Sequence, residues 1–287
     1  KVFSSGASLP LSDRVPLLEN CGFRVINERT YRVVPSGGGE ADRVWLHDMA
    51  LERAAGGPVD MEAIARPMEA ALLAYFRGFT ESDGYNRLLI EAGLGWRDIA
   101  MVRTLGRYLQ QLRAPYEQDY IAQTLARHGA IAAKIVALFY ARFDPRRDEG
   151  RSEAMKATRA ELDDLLRSVA SLDDDRILRR FVNLIEAAVR TNFFQIDDSG
   201  LPRATIAFKF DCARVEDMPL PRPLYEIFLS SPRVEGVHLR FGKVARGGIR
   251  WSDRPQDFRT EVLGLVKAQQ VKNAVIVPVG AKGGFLP

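Results

Sequence analysis

The sequence predicts an α+β protein: a partial ferredoxin-like unit, a mostly helical middle, then the start of an α/β domain. Three observations predict it. Residues 1–57 run strand, helix, strand, strand. Residues 58–200 carry apolar residues at helical spacing almost without a break. From 201 to 287 apolar and polar residues alternate again, and glycine pairs stand beside cations.

In the first unit KVFSS alternates as a short strand. SLPLSDRVPLLENCG follows as a helix, with Ser12 or Asp13 as its cap and Cys21-Gly22 at its end. FRVINERTYRVV sets Phe23, Val25, Tyr31 and Val33 on one side, the mark of a half-buried strand. A glycine-rich turn over 36–40 leads to RVWLHDMAL, the next strand. The order β-α-β-β is part of a ferredoxin-like pattern. His47 and Asp48 lie on that last strand and are read as structural.

Gly56-Gly57-Pro58 breaks the pattern. MEAIARPMEAALLAYFRGF repeats apolar residues at Ile64, Met68, Leu72 and Phe76, with Pro67 near its start. YNRLLIEAG is a short helix and WRDIAMVRTLGRYLQQLR a longer one. A single helix is expected over 121–143, ended by Asp144-Pro145, since the residue before proline disfavours helix. RRDEGRSEAMKATRAELDDLLRSV keeps Leu162, Leu165 and Val169 in phase within a solvated, charged helix. In the last helix Leu172, Ile177, Phe181, Leu184, Ile185 and Ala188 face one way, with Ser171 or a following aspartate as cap. Arg176, Arg179 and Arg180 are read there as surface charge.

Residues 198–202, DSGLP, form a second boundary. ATIAFKFDC, LYEIFLSS and VEGVHLRFG then read as strands without an intervening helix, which suggests antiparallel or mixed pairing. His238, on the third, is read as structural. Asp253 and Pro255 favour a helix start at 254–256. Phe258, Val262 and Leu265 line one face of that helix, Gln269 and Lys272 continue close to it, and Lys267 points to solvent. AVIVPV is a short apolar strand, and GAKGG follows at its end, where open α/β sheets usually hold ligands.

Composition narrows the class. Hydrophobic residues make up 46% and charged residues 27% of the 287, enough for a sizeable core in a globular protein. The net charge of +4 is spread along the chain, without the basic stripe that nucleic-acid binding calls for. Apolar runs reach no transmembrane length. His47, His128 and His238 show no metal-ligand spacing. Cys21 and Cys212 stand far apart and are read as free thiols of a reducing, cytoplasmic setting. The chain opens on Lys1, inside a strand, and stops just after a glycine motif, so an internal piece of a longer protein is expected.

The chemistry gathers between Gly242 and Phe285. Gly247-Gly248 lies between Arg246 and Arg250, and Gly283-Gly284 follows Lys282. Both pairs are expected as turns, since glycine tolerates unusual backbone angles and the close approach of a ligand. Singly, each cation has a plain reading. Lys272 can complement a helix dipole, Arg246 can sit in a solvated turn, and Lys282 can extend from a loop. Together, three cations and Gln269 around two glycine pairs point to a grip on a small anion. GxGxxG and GxxxxGK[ST] are both absent, so the grip is not a nucleotide-phosphate loop.

The stretch RVEGVHLRFGKVARGGIRWSDRPQDFRTEVLGLVKAQQVKNAVIVPVGAKGGF resembles the large bacterial NAD-dependent glutamate dehydrogenases. More loosely it resembles the substrate-binding segment of the hexameric glutamate dehydrogenases. The likeness is strong over 219–286. Upstream, LPLSDRVPLLENCGFRVINERTY resembles the end of the large family's ACT-type regulatory region, and IAAKIVALFYARFDP its helical linker. The resemblance implies a partial ACT-like unit at 1–57, a helical linker at 58–200 and the start of the catalytic, substrate-binding domain at 201–287.

It also implies roles. Arg246 stands where the hexameric enzymes have the lysine of KGGxR, beside Gly247 and Gly248, and would hold a substrate carboxylate with its two-pronged guanidinium. Gln269 and Lys272 match a QxxK pattern that holds the α-carboxylate. Lys282, in AKGG, matches the catalytic lysine. Two departures stand out. Arginine replaces lysine at the first position, and the spacing from Lys272 to Lys282 is shorter than in the hexameric enzymes. The family's catalytic aspartate and its NAD-binding Rossmann domain are expected beyond Pro287, and NAD rather than NADP follows from the resemblance alone. The implied activity of the parent protein, an expected homo-oligomer, is oxidative deamination of L-glutamate to 2-oxoglutarate and ammonia; this piece by itself is expected to be inactive. Two other readings stand beside it: a regulatory and assembly module that senses a small effector, and a non-catalytic carboxylate-binding protein.

Overall fold

Alternation near the N-terminus yields a three-stranded antiparallel sheet: β1 (Val2–Ser5), β2 (Phe23–Val33) and β3 (Val44–Arg53), in the order β1-β3-β2. The computed structural model describes residues 1–39, 42–147, 149–243, 247–273 and 280–287, with side chains throughout except at 269–273. Helix α1 (Leu11–Asn20) joins β1 to β2 and buries Leu17 and Leu18. It starts after Pro10 and not at a side-chain cap. Ser12 and Asp13 lie in its first turn, where the Ser12 hydroxyl donates to Asp13. The expected half-burial of β2 holds at Phe23 and Val25 and fails further along: Tyr31 and Val33 are each 44% exposed, because the core reaches only the start of this edge strand. His47 is buried on β3, within hydrogen-bond distance of Thr30 and Ser4, and Arg14 pairs with Glu28 beside it.

The helical part follows the apolar periodicity. It comprises α2 (Met61–Phe76), a 3-10 turn (Gly84–Arg87), α3 (Leu88–Glu91), α4 (Trp96–Gln111), α5 (Gln118–Arg127), α6 (Gly129–Phe143), α7 (Arg151–Leu166) and α8 (Leu172–Ala187). Asp60 caps α2 by accepting from the Glu62 and Ala63 N–H groups; Ile64 is buried, but Phe76 is exposed. The helix expected over 121–143 is in fact two, broken at His128. There Gly129 presses on the Glu91 carbonyl so closely that a Cβ would lie 1.9 Å from its oxygen. Ser171 caps α8 as expected, accepting from the Asp174 N–H. Leu172 is 64% exposed, and the buried face of α8 opens on Asp174 and continues with the apolar Ile177, Leu178 and Phe181. Arg176, Arg179 and Arg180 form ion pairs with Asp173, Asp175 and Asp217.

A six-stranded sheet follows: β4 (Ala188–Thr191), β5 (Ile206–Asp211), β6 (Tyr225–Ser231), β7 (Val234–Arg240), β8 (Ile249–Trp251) and β9 (Ala281–Leu286), in the order β4-β5-β6-β7-β9-β8. β4 leaves α8 directly, so the sheet begins before the boundary read at 198–202. All pairings are antiparallel except β8 with β9. Helix α9 (Phe258–Asn273) begins later than 254–256, because the Pro255 carbonyl accepts from Gln111 of α4 at 2.9 Å and stays out of the helical ladder. Its buried face is Phe258, Val262, Leu263 and Val266, with Leu265 only half-buried. The strand read at AVIVPV falls on 274–279, outside the described residues.

Pairing sorts the sheet's side chains onto two faces, because cross-strand partners share a side. One row runs Phe210–Glu226–Leu239–Lys282 and faces the helices. Two rows face the other way: Ile227–His238–Gly283–Ile249 and Leu229–Gly236–Phe285–Trp251. On that far side Ile249 is 73% and Trp251 66% exposed. One contiguous apolar core joins Cys21 and Phe23 through the helices to Phe208, Phe210, Leu239 and Val266.

Candidate functional site

The second glycine pair is not a turn. Gly283 and Gly284 lie inside β9, between β7 and β8, and their lack of side chains serves packing. A Cβ on Gly284 would lie 2.5 Å from the Val262 side chain of α9; one on Gly283 would meet the His238 ring at 3.2 Å. The first pair does lie in a connection, but one pressed against the same strand. A Cβ on Gly247 would sit 1.5 Å from the Ala281 carbonyl oxygen, so only glycine fits there. The Gly283 N–H donates to the Gly248 carbonyl at 3.1 Å. The two glycine pairs, 36 residues apart in sequence, are therefore in contact.

Lys282 stands at their meeting point. It is half-buried and shares a face with Gly284, over which α9 lies, since alternate residues of a strand point the same way. Its amine lies 3.9 Å from where a Cβ on Gly248 would be. Among the described residues no carboxylate forms an ion pair with it. Glu261, at the start of α9, is held by Arg250 at 2.9 Å and by the Ser252 hydroxyl at 2.7 Å. A cation left unpaired beside a side-chain-free backbone is an arrangement that can accept a small anion.

Of the residues read from the sequence, the structure brings Gly247, Gly248 and Lys282 together. Arg246 lies outside the described residues, as do the side chains of Gln269 and Lys272, although positions 269 and 272 fall on the last turns of α9. His238 belongs to the opposite face of the sheet, and burial together with Arg240 pulls its pKa below the usual value. His47 lies in the other sheet.

The structure adds a pair that the pattern reading passed over. Arg259, fully buried in the first turn of α9, forms a two-pronged bond with fully buried Glu226 of β6, at 2.7 Å on each prong. The signal was present: Glu226 is a carboxylate in phase with Phe228, on the inward side of an alternating strand.

A cleft of about 470 Å³ lies near the Leu286 end of β9, lined by Arg107, Gln110, Glu117, Asp119, Glu235 and Gln256. Its arginine is engaged by Glu81 and Glu235 and its other charges are acidic, so its electrostatics do not suit a dicarboxylate. Among the described residues no group of three His, Cys, Asp or Glu side chains could hold a metal ion, and no helix is long and apolar enough to cross a membrane.

Comparison with known proteins accounts for nearly the whole chain. Residues 161–287 match the family described as bacterial NAD-glutamate dehydrogenase, catalytic domain. Residues 80–145 match glutamate dehydrogenase, helical motif 3, and residues 1–64 match glutamate dehydrogenase, ACT3 domain. The NAD-specific glutamate dehydrogenase of Halomonas elongata is 50% identical over 286 residues, covering 100% of this chain and 17% of that protein. The protein of the same name from Pseudomonas aeruginosa is 48% identical over 291 residues, covering 100% of this chain and 18% of its own length. That from Mycobacterium tuberculosis is 44% identical over 295 residues, covering 99% of this chain and 18% of its own length. The chain thus spans less than a fifth of the curated relatives it matches.

Proposed function

This chain belongs to the bacterial NAD-glutamate dehydrogenase family, and from that premise we propose that its parent protein oxidatively deaminates L-glutamate to 2-oxoglutarate and ammonia with NAD⁺ as hydride acceptor. The observation that carries the reading to particular residues is the contact of Gly247-Gly248 with β9 beside Lys282. The bare backbone gives a substrate room to come close. Arg246 would hold the distal carboxylate, and Gln269 and Lys272 the α-carboxylate. Lys282 would present its ammonium group to the reacting carbon, where it polarises the carbonyl or the attacking water. None of these 287 residues forms a dinucleotide-binding glycine fingerprint, so none is assigned to NAD, whose site would lie elsewhere in the parent.

Residues 1–57 would be a partial ACT-type unit of ferredoxin-like topology. The order β1-β3-β2, with β3 antiparallel to both neighbours, supports this, as does the family match over 1–64. The helical linker would run from 58, and the substrate-binding part would take in β4 from Ala188, where the sheet begins. A cytoplasmic setting is supported by two buried free cysteines; burial pushes the Cys21 thiol up to about 11 and raises that of Cys212 further, which keeps both unreactive.

The test is Lys282→Ala in the full-length protein. Glutamate-dependent NAD⁺ reduction should fall by about 10²-fold or more with the melting temperature unchanged. Near-normal turnover would remove Lys282 from the chemistry.

A further inference from the structure

We propose that Arg259 and Glu226 are positioning residues for the glutamate site: together they fix where α9, and so positions 269 and 272, stand relative to Lys282. The inference rests on the function proposed above and adds to it two residues that touch no substrate.

The sheet register supplies the first argument. Glu226 and Lys282 belong to one cross-strand row, with Leu239 between them. Two strand spacings separate them, about 10 Å. Both side chains face α9. Arg259 reaches down from the first turn of that helix and takes both carboxylate oxygens of Glu226, at 2.7 Å each. One end of the helix is thus pinned to the row that carries Lys282 at its other end.

The second argument is how completely the anchor is determined. The Arg259 N–H donates to Gln111 of α4 at 3.1 Å, and its Nη2 also lies 3.0 Å from the Met218 sulfur. One turn further on, Val262 packs on Gly284, where a Cβ would leave only 2.5 Å. A planar fork on one side and a glycine contact on the other fix both rotation and height. An α-helix moves as a rod, with a rise of about 1.5 Å and a turn of about 100° per residue. Slipping by one residue at Arg259 would displace positions 269 and 272 by the same amount.

The third argument is energetic. The pair is fully buried, and Arg259 Nη1 has no hydrogen-bond partner among the described residues. An apolar pair of similar volume often serves stability as well as a buried ion pair or better. What such a pair lacks is direction. A two-pronged guanidinium–carboxylate contact admits one arrangement, whereas two apolar side chains admit many. The pair therefore specifies geometry more than it adds stability.

The test uses the full-length protein, with KM measured separately for glutamate and for NAD⁺ alongside the melting temperature. Arg259→Lys keeps the charge and loses the fork. It should raise the glutamate KM about tenfold and leave the NAD⁺ KM within about twofold, since misplacement of a substrate-holding group is felt by that substrate. Arg259→Met combined with Glu226→Leu should melt no lower than the wild type and show the same glutamate defect. A merely structural pair would lower the melting temperature and leave both KM values alone. A wild-type glutamate KM in Arg259→Lys overturns the inference, whether or not the double variant folds. Lys282→Ala with undiminished turnover would instead overturn the function on which it rests, so the two failures can be told apart.

Discussion

At Gly284 a hydrogen in place of a methyl group decides how near α9 can come to the sheet. A methyl there would stand 2.5 Å from the Val262 side chain, so Gly284→Ala should destabilise the chain by about 1–3 kcal/mol through overpacking. The adjacent side chain is also the remedy. Adding Val262→Ala should restore part of the loss, and a double-mutant cycle in urea should show coupling of about 1 kcal/mol. Strict additivity of the two changes would mean that they do not touch. This position also shows what one-dimensional reading misses. Gly247-Gly248 and Gly283-Gly284 look alike as letters, and both read as turns. One yields to the Ala281 carbonyl within a connection; the other sits in mid-strand beneath a helix. The difference lies in what is opposite each glycine, which no local pattern records. The place of Lys282 directly before a glycine pair, by contrast, is a local feature that the letters do record.

Asp174 shows the same logic between elements. It sits in the first turn of α8, and its carboxylate accepts from Tyr120, Thr124 and Arg127 of α5 and pairs with His128 at the break before α6. Burial pushes its pKa up, but the hydrogen bonds from Arg127, His128 and Tyr120 outweigh this and hold it at about 2. An unfolded aspartate titrates near 3.9. The folded value is the lower, so this stabilisation is complete above about pH 4 and is lost as pH falls through about 2. Asp174→Asn should remove about 2 kcal/mol at neutral pH and flatten acid unfolding between pH 4 and 2, followed by circular dichroism. An unchanged acid transition would show that the junction of α5, α6 and α8 is held by packing alone. The helices themselves were legible from the spacing of Ile121, Leu125, Ile131 and Ile135. Their division was not, because it depends on Gly129 meeting Glu91 at the end of α3. The late start of α9 has the same kind of cause, the capture of the Pro255 carbonyl by Gln111. Strand existence came through alternation up to β7, but β4, straight out of α8, and β8, three residues long, carried too short a pattern to read, and the glycines of β9 read as a turn.

Across the whole molecule, three textures in the sequence became one body with a continuous core. The order of elements was legible from periodicity; that shared core was not, because it depends on side chains such as Cys21 and Phe210 meeting across separate stretches. The sheet is where the parts join: helices cover one face, with Lys282 at the end of a row that includes Glu226. The other face shows Ile249, Trp251 and Phe285 to water. At the bench, that face governs how the isolated chain behaves in solution. Excluded salts strengthen apolar association, so the polypeptide should precipitate early as ammonium sulfate is added. Replacing Trp251 by lysine should move the precipitation threshold upward and leave the circular dichroism spectrum as it was. If the threshold stays where it is, another surface drives the salting-out.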